Sequence, residues 1–396
     1  MGHSNLGATL RLLFFLAISH LSFPQTTAVP APDAGAAGKL ISQSREWLRD
    51  LRDDGITFQG LIVYDWSKAV LKEQGTEEGF GRYSFDLSMP VDGRKALGLE
   101  GSAGLVRLKS HIRQFGEIDD GAAQLPSNID SCSRTTLYEL WLEQRFLSSK
   151  LRLKGGKIDA NTEFDVVQTA GDFLNSSMGY SPTILAFPTY PEPKPGIAAF
   201  LQPTSRNVLS LGVFQTAGMG ILSIVEPGRN WNIGQGEHPG RVSLGFWRLN
   251  GQLAQFDGGR VSGTEGFYFV VEQSGWRHPW MGRGDERKLS TFLQFGYAQG
   301  QVSPFTHHAG GGAVLQAPFG KRSQDALGIA ATSVRFSSHS GAGFELESEL
   351  VVETYYKLTI SKHFALIPDF QFLHQPGGLL ANRDCPLLTS RVVVSF

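Results

Sequence analysis

Several things are scarce in this sequence, and each scarcity removes a class of protein. Formal net charge is only -1 over 396 residues, so the chain is neither an acidic tail nor a strongly basic nucleic-acid binder. After the N-terminus no stretch holds 18 consecutive apolar residues, which excludes a helical membrane protein. Only two cysteines occur, Cys132 and Cys385, so one disulfide is the most the chain can form with itself. There is no G-x-S-x-G, and no GK[ST] follows Gly310-Gly311-Gly312. A serine-hydrolase elbow and a phosphate loop are therefore missing. His307 and His308 have no Cys, Asp or Glu at ligand spacing, and adjacent strand residues point opposite ways, so no metal site is expected. No cofactor is expected either, and no enzyme activity.

Glycine and phenylalanine, by contrast, are plentiful: 47 glycines, and 27 phenylalanines against 9 tyrosines. That mixture suits an all-β protein with many turns. The N-terminus reads as an export signal. Arg11 precedes the apolar run Leu12–Ile18, Pro24 breaks it, and small residues end at Ala28. Residues 1–28 are the expected signal peptide, with Ala31 a weaker cleavage position because Pro32 follows. A flexible linker covers 29–38. An amphipathic helix is expected over 39–55, with Leu40, Ile41, Trp47, Leu48 and Leu51 on one face.

From residue 56 to 396 the period changes to two. Leu350, Val352, Thr354, Tyr356, Leu358 and Ile360 alternate with Glu349, Val351, Glu353, Tyr355, Lys357 and Thr359. Similar rows recur, and sixteen strands are predicted, near 57–67, 80–90, 104–115, 135–146, 150–159, 195–203, 207–216, 220–232, 240–250, 264–277, 288–299, 304–317, 325–338, 347–361, 363–376 and 386–396. A soluble sandwich also alternates. Four features favour a membrane barrel. The polar rows mix Arg, Lys, Glu and Trp, as a wet lumen does. The strands reach the roughly 9–11 residues needed to cross a bilayer while tilted. Their number is even. The chain ends in an alternating strand with a terminal aromatic, Arg391–Phe396. Three of the short connections (147–149, 204–206, 361–363) fall on one side, and long ones (68–79, 116–134, 160–194, 250–263) on the other, as in an outer-membrane barrel. Pro368 interrupts one apolar row, and a local bulge is expected there.

Several stretches resemble one family, the carbohydrate-selective porins of the OprB type: WLRDLRDDGITFQGLIVYD (47–65), LRLKGGKIDANTEF (151–164), FLNSSMGYSPTILAFPTYPEP (173–193), GFYFVVEQ (266–273), HHAGGGAVLQ (307–316), DALGIAATSVRF (325–336) and the last strand. They span almost the whole chain after the signal. The resemblance implies a 16-stranded antiparallel outer-membrane β-barrel, here with a short N-terminal amphipathic helix, through which sugars diffuse passively. The terminal strand resembles the signature that the barrel-assembly machinery recognises. Monomer and homo-trimer both stay open. The partners expected are a carbohydrate substrate and outer-membrane lipid, with no nucleic acid.

Sugars need clustered donors and acceptors beside flat aromatic faces. The predicted lumen row combines Arg107 and Lys109 with Glu139, Trp141 and Glu143, and Glu353, Tyr355 and Asp369 on later strands. Loop 160–194 is the expected constriction, folded into the barrel, with Tyr180 and Tyr190 on it and Asp159 and Asn161 at its start. For the last two, a structural anchor of the loop is the competing reading. Cys132 and Cys385 fall on the same rim, and barrel closure brings their loops near, so a disulfide between them is expected. The competing functions are a general diffusion porin, a secreted soluble glycan-binding β-protein, and an outer-membrane lipase, the last opposed by the missing serine motif.

Overall fold

The computed structural model describes residues 46–70, 79–113, 121–234, 238–276 and 286–396. The expected signal peptide, the expected linker and residues 39–45 of the expected helix lie outside them. Residues 46–53 are helical, and Gly55, at φ 87, ends the helix by donating its N–H to the Arg52 carbonyl.

Among the described residues sixteen strands close into one antiparallel barrel. In chain order they are β1 (Gln59–Ala69), β2 (Phe80–Asp92), β3 (Ser102–Arg113), β4 (Arg134–Phe146), β5 (Leu151–Ile158), β6 (Lys194–Leu201), β7 (Asn207–Gln215), β8 (Ile221–Ile233), β9 (His238–Asn250), β10 (Thr264–Trp276), β11 (Lys288–Ala298), β12 (Phe305–Gln316), β13 (Ala326–Phe336), β14 (Ser348–Ser361), β15 (Phe364–His374) and β16 (Cys385–Ser395). Each pairs with its sequence neighbours. β1 closes on β16, with Leu61 opposite Ser395 and Ala69 opposite Leu387. The sixteen expected strands are all present. An additional two-residue ladder joins Leu253–Ala254 to Arg260–Val261 in the loop before β10.

The two faces of the wall are reversed relative to a soluble protein. On β1, Ile62, Tyr64 and Trp66 are exposed, while Val63, Asp65 and Ser67 are buried. Leu142 is 64% exposed and Ile197 69%, whereas Asp65, Glu349 and Glu353 are 0% exposed. A soluble sandwich hides its apolar row. Here carboxylates are hidden and leucines shown, which is stable only with hydrocarbon outside. The opening row of β14 follows this rule, with Leu350 and Val352 outward and Glu349, Val351 and Glu353 inward.

The end of the barrel that holds Gln59 and Ser395 is called the near rim, and the other end the far rim. Short connections at 147–150, 202–206 and 362–363 lie at the near rim. Two long loops belong to the far rim, L2 between β3 and β4, described over 121–133, and L3 (159–193).

Two local expectations need correction. β15 keeps its register past Pro368, which lies opposite Ser390, and no shift occurs there against β14. The ring removes one donor from the ladder without adding a residue. The disulfide is also not formed: Cys132 is exposed on L2, Cys385 opens β16, and their sulfurs are not joined. L2 turns inward, toward the lumen side of Glu349 and Asp65, instead of along the rim.

At the seam, Gly60 and Phe396 exchange backbone hydrogen bonds of 2.8 and 3.0 Å. A Cβ on Gly60 would lie 2.2 Å from the Phe396 ring. The terminal aromatic therefore fills the space of the side chain that Gly60 lacks.

Candidate functional site

L3 begins where β5 ends, in the sequence GKIDAN. Asp159 caps the short 3-10 turn Ala160–Thr162 by accepting the Asn161 N–H. The same carboxylate accepts the Tyr138 hydroxyl at 2.5 Å and the Thr189 hydroxyl at 2.7 Å. It thus ties the start of the loop to its end and to β4. Asn161 donates its side-chain amide to the Phe164 and Asp165 carbonyls. Both residues thus hydrogen-bond the loop backbone.

The loop then crosses the lumen along the wall. Glu163 meets Arg152 and Lys154 of β5 at 2.6 and 2.8 Å. The Asp165 N–H donates to Glu226 of β8, and the Thr169 N–H to Glu272 of β10. Arg241 of β9 donates to the Val166 carbonyl. The N–H groups of Leu174 and Asn175 donate to Glu353 of β14. Gln294 of β11 donates to the Ser177 and Met178 carbonyls. Apolar loop residues fill the space behind: Phe164 packs edge-on against Phe214, and Phe173 against Tyr355 with ring centroids 4.8 Å apart.

Four residues expected to line open water are thereby relocated. Glu353 is buried and holds L3 by its backbone, and Glu139, likewise buried, accepts the Asp159 N–H where L3 begins. Tyr355 is 2% exposed, under Phe173. Asp369, also buried, accepts from Gln371. The physical reason is the loop itself, whose N–H groups need acceptors once out of water.

L2 is a second inward loop that sequence reasoning missed. Ala123 and Gln124 donate their N–H groups to Glu349 at 2.8 and 2.7 Å. Ser127 donates to Asp65, which also receives Arg391 in a two-pronged pair at 2.7 and 2.7 Å. Asp130 pairs with Arg82 and Arg113. The two loops also bind each other: Asn128 N–H to Leu174 O at 2.6 Å, Ser176 N–H to Leu125 O at 2.9 Å, and Tyr190 hydroxyl to Ile129 O at 2.6 Å. The charges of Asp65 and Arg391, on the two strands that meet at closure, gave no signal of L2, because they pair with each other.

With L3 against β5–β14 and L2 against the seam, a patch of β2–β4 holds most of the other expected residues. Arg107 donates to both oxygens of Asp86 at 2.8 Å and to Glu139 at 3.1 Å. Lys109 lies 3.6 Å from Asp86, with its ammonium 4.5 Å from the Tyr138 ring centre and 5.0 Å from that of Tyr190. Trp141 donates to Glu139 at 3.2 Å and carries the Lys154 ammonium 3.8 Å above its ring. Glu143 pairs with Arg145 and Arg152. Tyr180 stands apart on L3 beside Phe187, 5.8 Å between centroids.

Loop titrations follow from these surroundings. Burial pushes the Asp165 carboxyl well up, the Ser181 N–H opposes this, and the Glu226 carboxylate adds to it. Burial also acts to raise Glu163, but hydrogen bonds and charge from Arg152 and Lys154 outweigh it and hold the group below its ordinary value. Burial, aided by Asp159 and Asp165, pushes the Tyr180 hydroxyl up to about 12. Among the described residues no cluster of ligating side chains suits a metal ion.

Solved structures share this architecture. Pseudomonas putida OprB at high pH superposes with a TM-score of 0.78 at 17% identity, covering 88% of this chain and 96% of that one. The outer-membrane channel DcaP of Acinetobacter baumannii gives 0.53 at 9% identity, covering 86% and 97%. A loop-deletion mutant of Vibrio cholerae OmpT gives 0.54 at 6%, covering 86% and 99%. At such identities the likeness is one of fold. No curated protein matches in sequence. The family profile described as carbohydrate-selective porin, OprB family, matches residues 82–396, so the chain belongs to the OprB family of carbohydrate-selective porins, channels of the outer membrane.

Proposed function

We propose that this protein lets neutral mono- or oligosaccharides diffuse passively and selectively through the opening between L2, L3 and the β2–β4 wall. The observation that carries the reading is the patch around Lys109. One carboxylate (Asp86), one guanidinium (Arg107), one ammonium (Lys109) and two tyrosine rings (Tyr138, Tyr190) meet there within hydrogen-bond or ring-contact distance. Paired opposite charges repel neither ion sign and select none. The same groups, fixed in place, offer hydroxyls both donors and acceptors, and the part-exposed rings of Tyr190 and Trp141 offer an apolar face to a pyranose, with Tyr138 buried behind them. In this reading Arg107, Lys109 and Trp141 touch the passing sugar, buried Glu139 holds Arg107 and Trp141 in place, and Asp159, Asn161 and Tyr190 hold the loop that narrows the path. The near rim, with its short turns, faces the periplasm. Residues 1–28 are removed on export, and the last strand is handed to the barrel-assembly machinery.

Conductance of the refolded chain in a planar bilayer tests this. Glucose in the bath is expected to reduce the steps saturably, and Arg107→Gln is expected to raise the half-blocking concentration about tenfold. Steps without saturable block would instead indicate a general diffusion porin.

A further inference from the structure

On the near-rim half of the lumen, β5–β9 and the first part of L3 enclose a cavity of ≈ 370 Å³. It is separate from the Lys109 patch. We infer that this cavity is a second saccharide site, in series with the constriction. The inference rests on the sugar-channel reading and adds a place where the substrate pauses.

Three observations carry it. First, two guanidiniums on its wall are held by one edge. Arg152 is fixed by Glu143 at 2.8 Å and by Glu163 at 3.0 and 2.6 Å, and lies 3.7 Å over the Phe200 ring. Arg241 is fixed by Glu272 at 2.6 Å and by the Val166 carbonyl. Their side chains remain 25% and 24% exposed. A planar fork pinned on one side presents its other N–H groups with little entropy left to lose. Second, Ser243 lines the cavity, is 4% exposed, and its hydroxyl meets no partner. A buried hydroxyl left unpaired is costly, so a ligand or water hydroxyl completes it. Third, both signs line the cavity: Arg145, Lys150, Arg152 and Arg241 stand beside Glu163 and Glu226, with Glu143 pairing Arg145 and Arg152 and Glu272 pairing Arg241. A phosphate or carboxylate ligand would leave one sign in excess, whereas a neutral polyol would not.

A continuous polar path joins this cavity to the constriction. Trp141 donates to Glu139, Lys154 sits over Trp141 and on Glu163, and Glu163 holds Arg152. A sugar leaving Arg107 therefore meets new donors before it loses all the old ones.

The test is glucose block of the bilayer channel, with glucose added to one side at a time. Ser243→Leu fills the cavity, and Asn230→Ala trims its edge without adding bulk. Refolding of each is checked by heat-dependent electrophoretic mobility. Either variant is expected to raise the half-blocking concentration for near-side glucose about fivefold, the worth of one hydrogen bond, with far-side block little changed. Arg107→Gln is expected to act mainly on far-side block. If both cavity variants leave near-side block unchanged, the second site is overturned and the constriction reading stands. If they remove all block and Arg107→Gln removes none, the constriction reading falls and the cavity stands as the sugar site. Absence of block in the unaltered channel overturns both.

Discussion

Gly156 sits on β5 at φ 140, where a Cβ would lie 2.2 Å from the Leu140 carbonyl oxygen and 2.6 Å from the Trp141 Cα. The region is open to glycine and strained for other residues. Gly156→Ala is expected to destabilise the barrel by about 2 kcal/mol and to shift Trp141. Denaturant unfolding in detergent, followed by tryptophan fluorescence, reads both effects. Two carboxyls of L3 provide a paired pH experiment with opposite signs. Glu163, held low by Arg152 and Lys154, stabilises above its unfolded value, and that stability is lost as pH falls through its folded value. Glu163→Gln should cost about 2 kcal/mol at pH 7 and progressively less in acid. Asp165 is raised, so its contribution is present in acid and lost as pH rises through its folded value. Asp165→Asn should therefore raise the melting temperature at pH 7 and converge with the parent protein in acid.

At the scale of elements, the strands were legible and the loops only in part. Period two shows a strand, and the reversed polarity of its faces shows the solvent on each side. That is why rows such as Leu350, Val352 against Glu349, Glu353 point to a barrel. Loop 160–194 was expected to turn into the barrel from its length and low charge together with the likeness to porins. L2 was not, because an aperiodic segment takes its shape from distant partners: Gln124 finds its acceptor Glu349 at a separation of 225 positions. Glu353 shows the same limit at a single residue. Its place on the inward row was readable, but not that two backbone N–H groups would occupy it. Since one carboxylate takes both Leu174 and Asn175, Glu353→Gln leaves one of them facing an amide N–H. Loosening of L3 is the expected outcome, seen as larger and noisier conductance steps; steps identical to the parent's would mean the loop is held elsewhere.

For the whole molecule, the chief consequence is a lumen much narrower than the strand number allows. Sixteen strands can enclose an aqueous channel, but here L2 and L3 both turn into it, and L3 builds apolar cores against the wall. Conductance should therefore be well below that of an otherwise similar barrel with an open lumen, and a variant lacking 121–131 should conduct more. With opposite charges paired along the path, the reversal potential in a salt gradient should stay near zero. A strong preference for one ion sign would contradict the balanced wall.

The fit of Phe396 over Gly60 bears on how the barrel closes as well as on how it packs. Position 396 fills a gap at position 60, so two strands far apart in sequence are matched in shape at one point of the seam. Without that ring every strand is still present, yet a notch stands where β1 and β16 meet. Closure then depends on a single ring finding a single glycine. Removing Phe396 alone should slow barrel formation in a refolding time course, and Gly60→Ala, which obstructs the same contact from the other side, should slow it too.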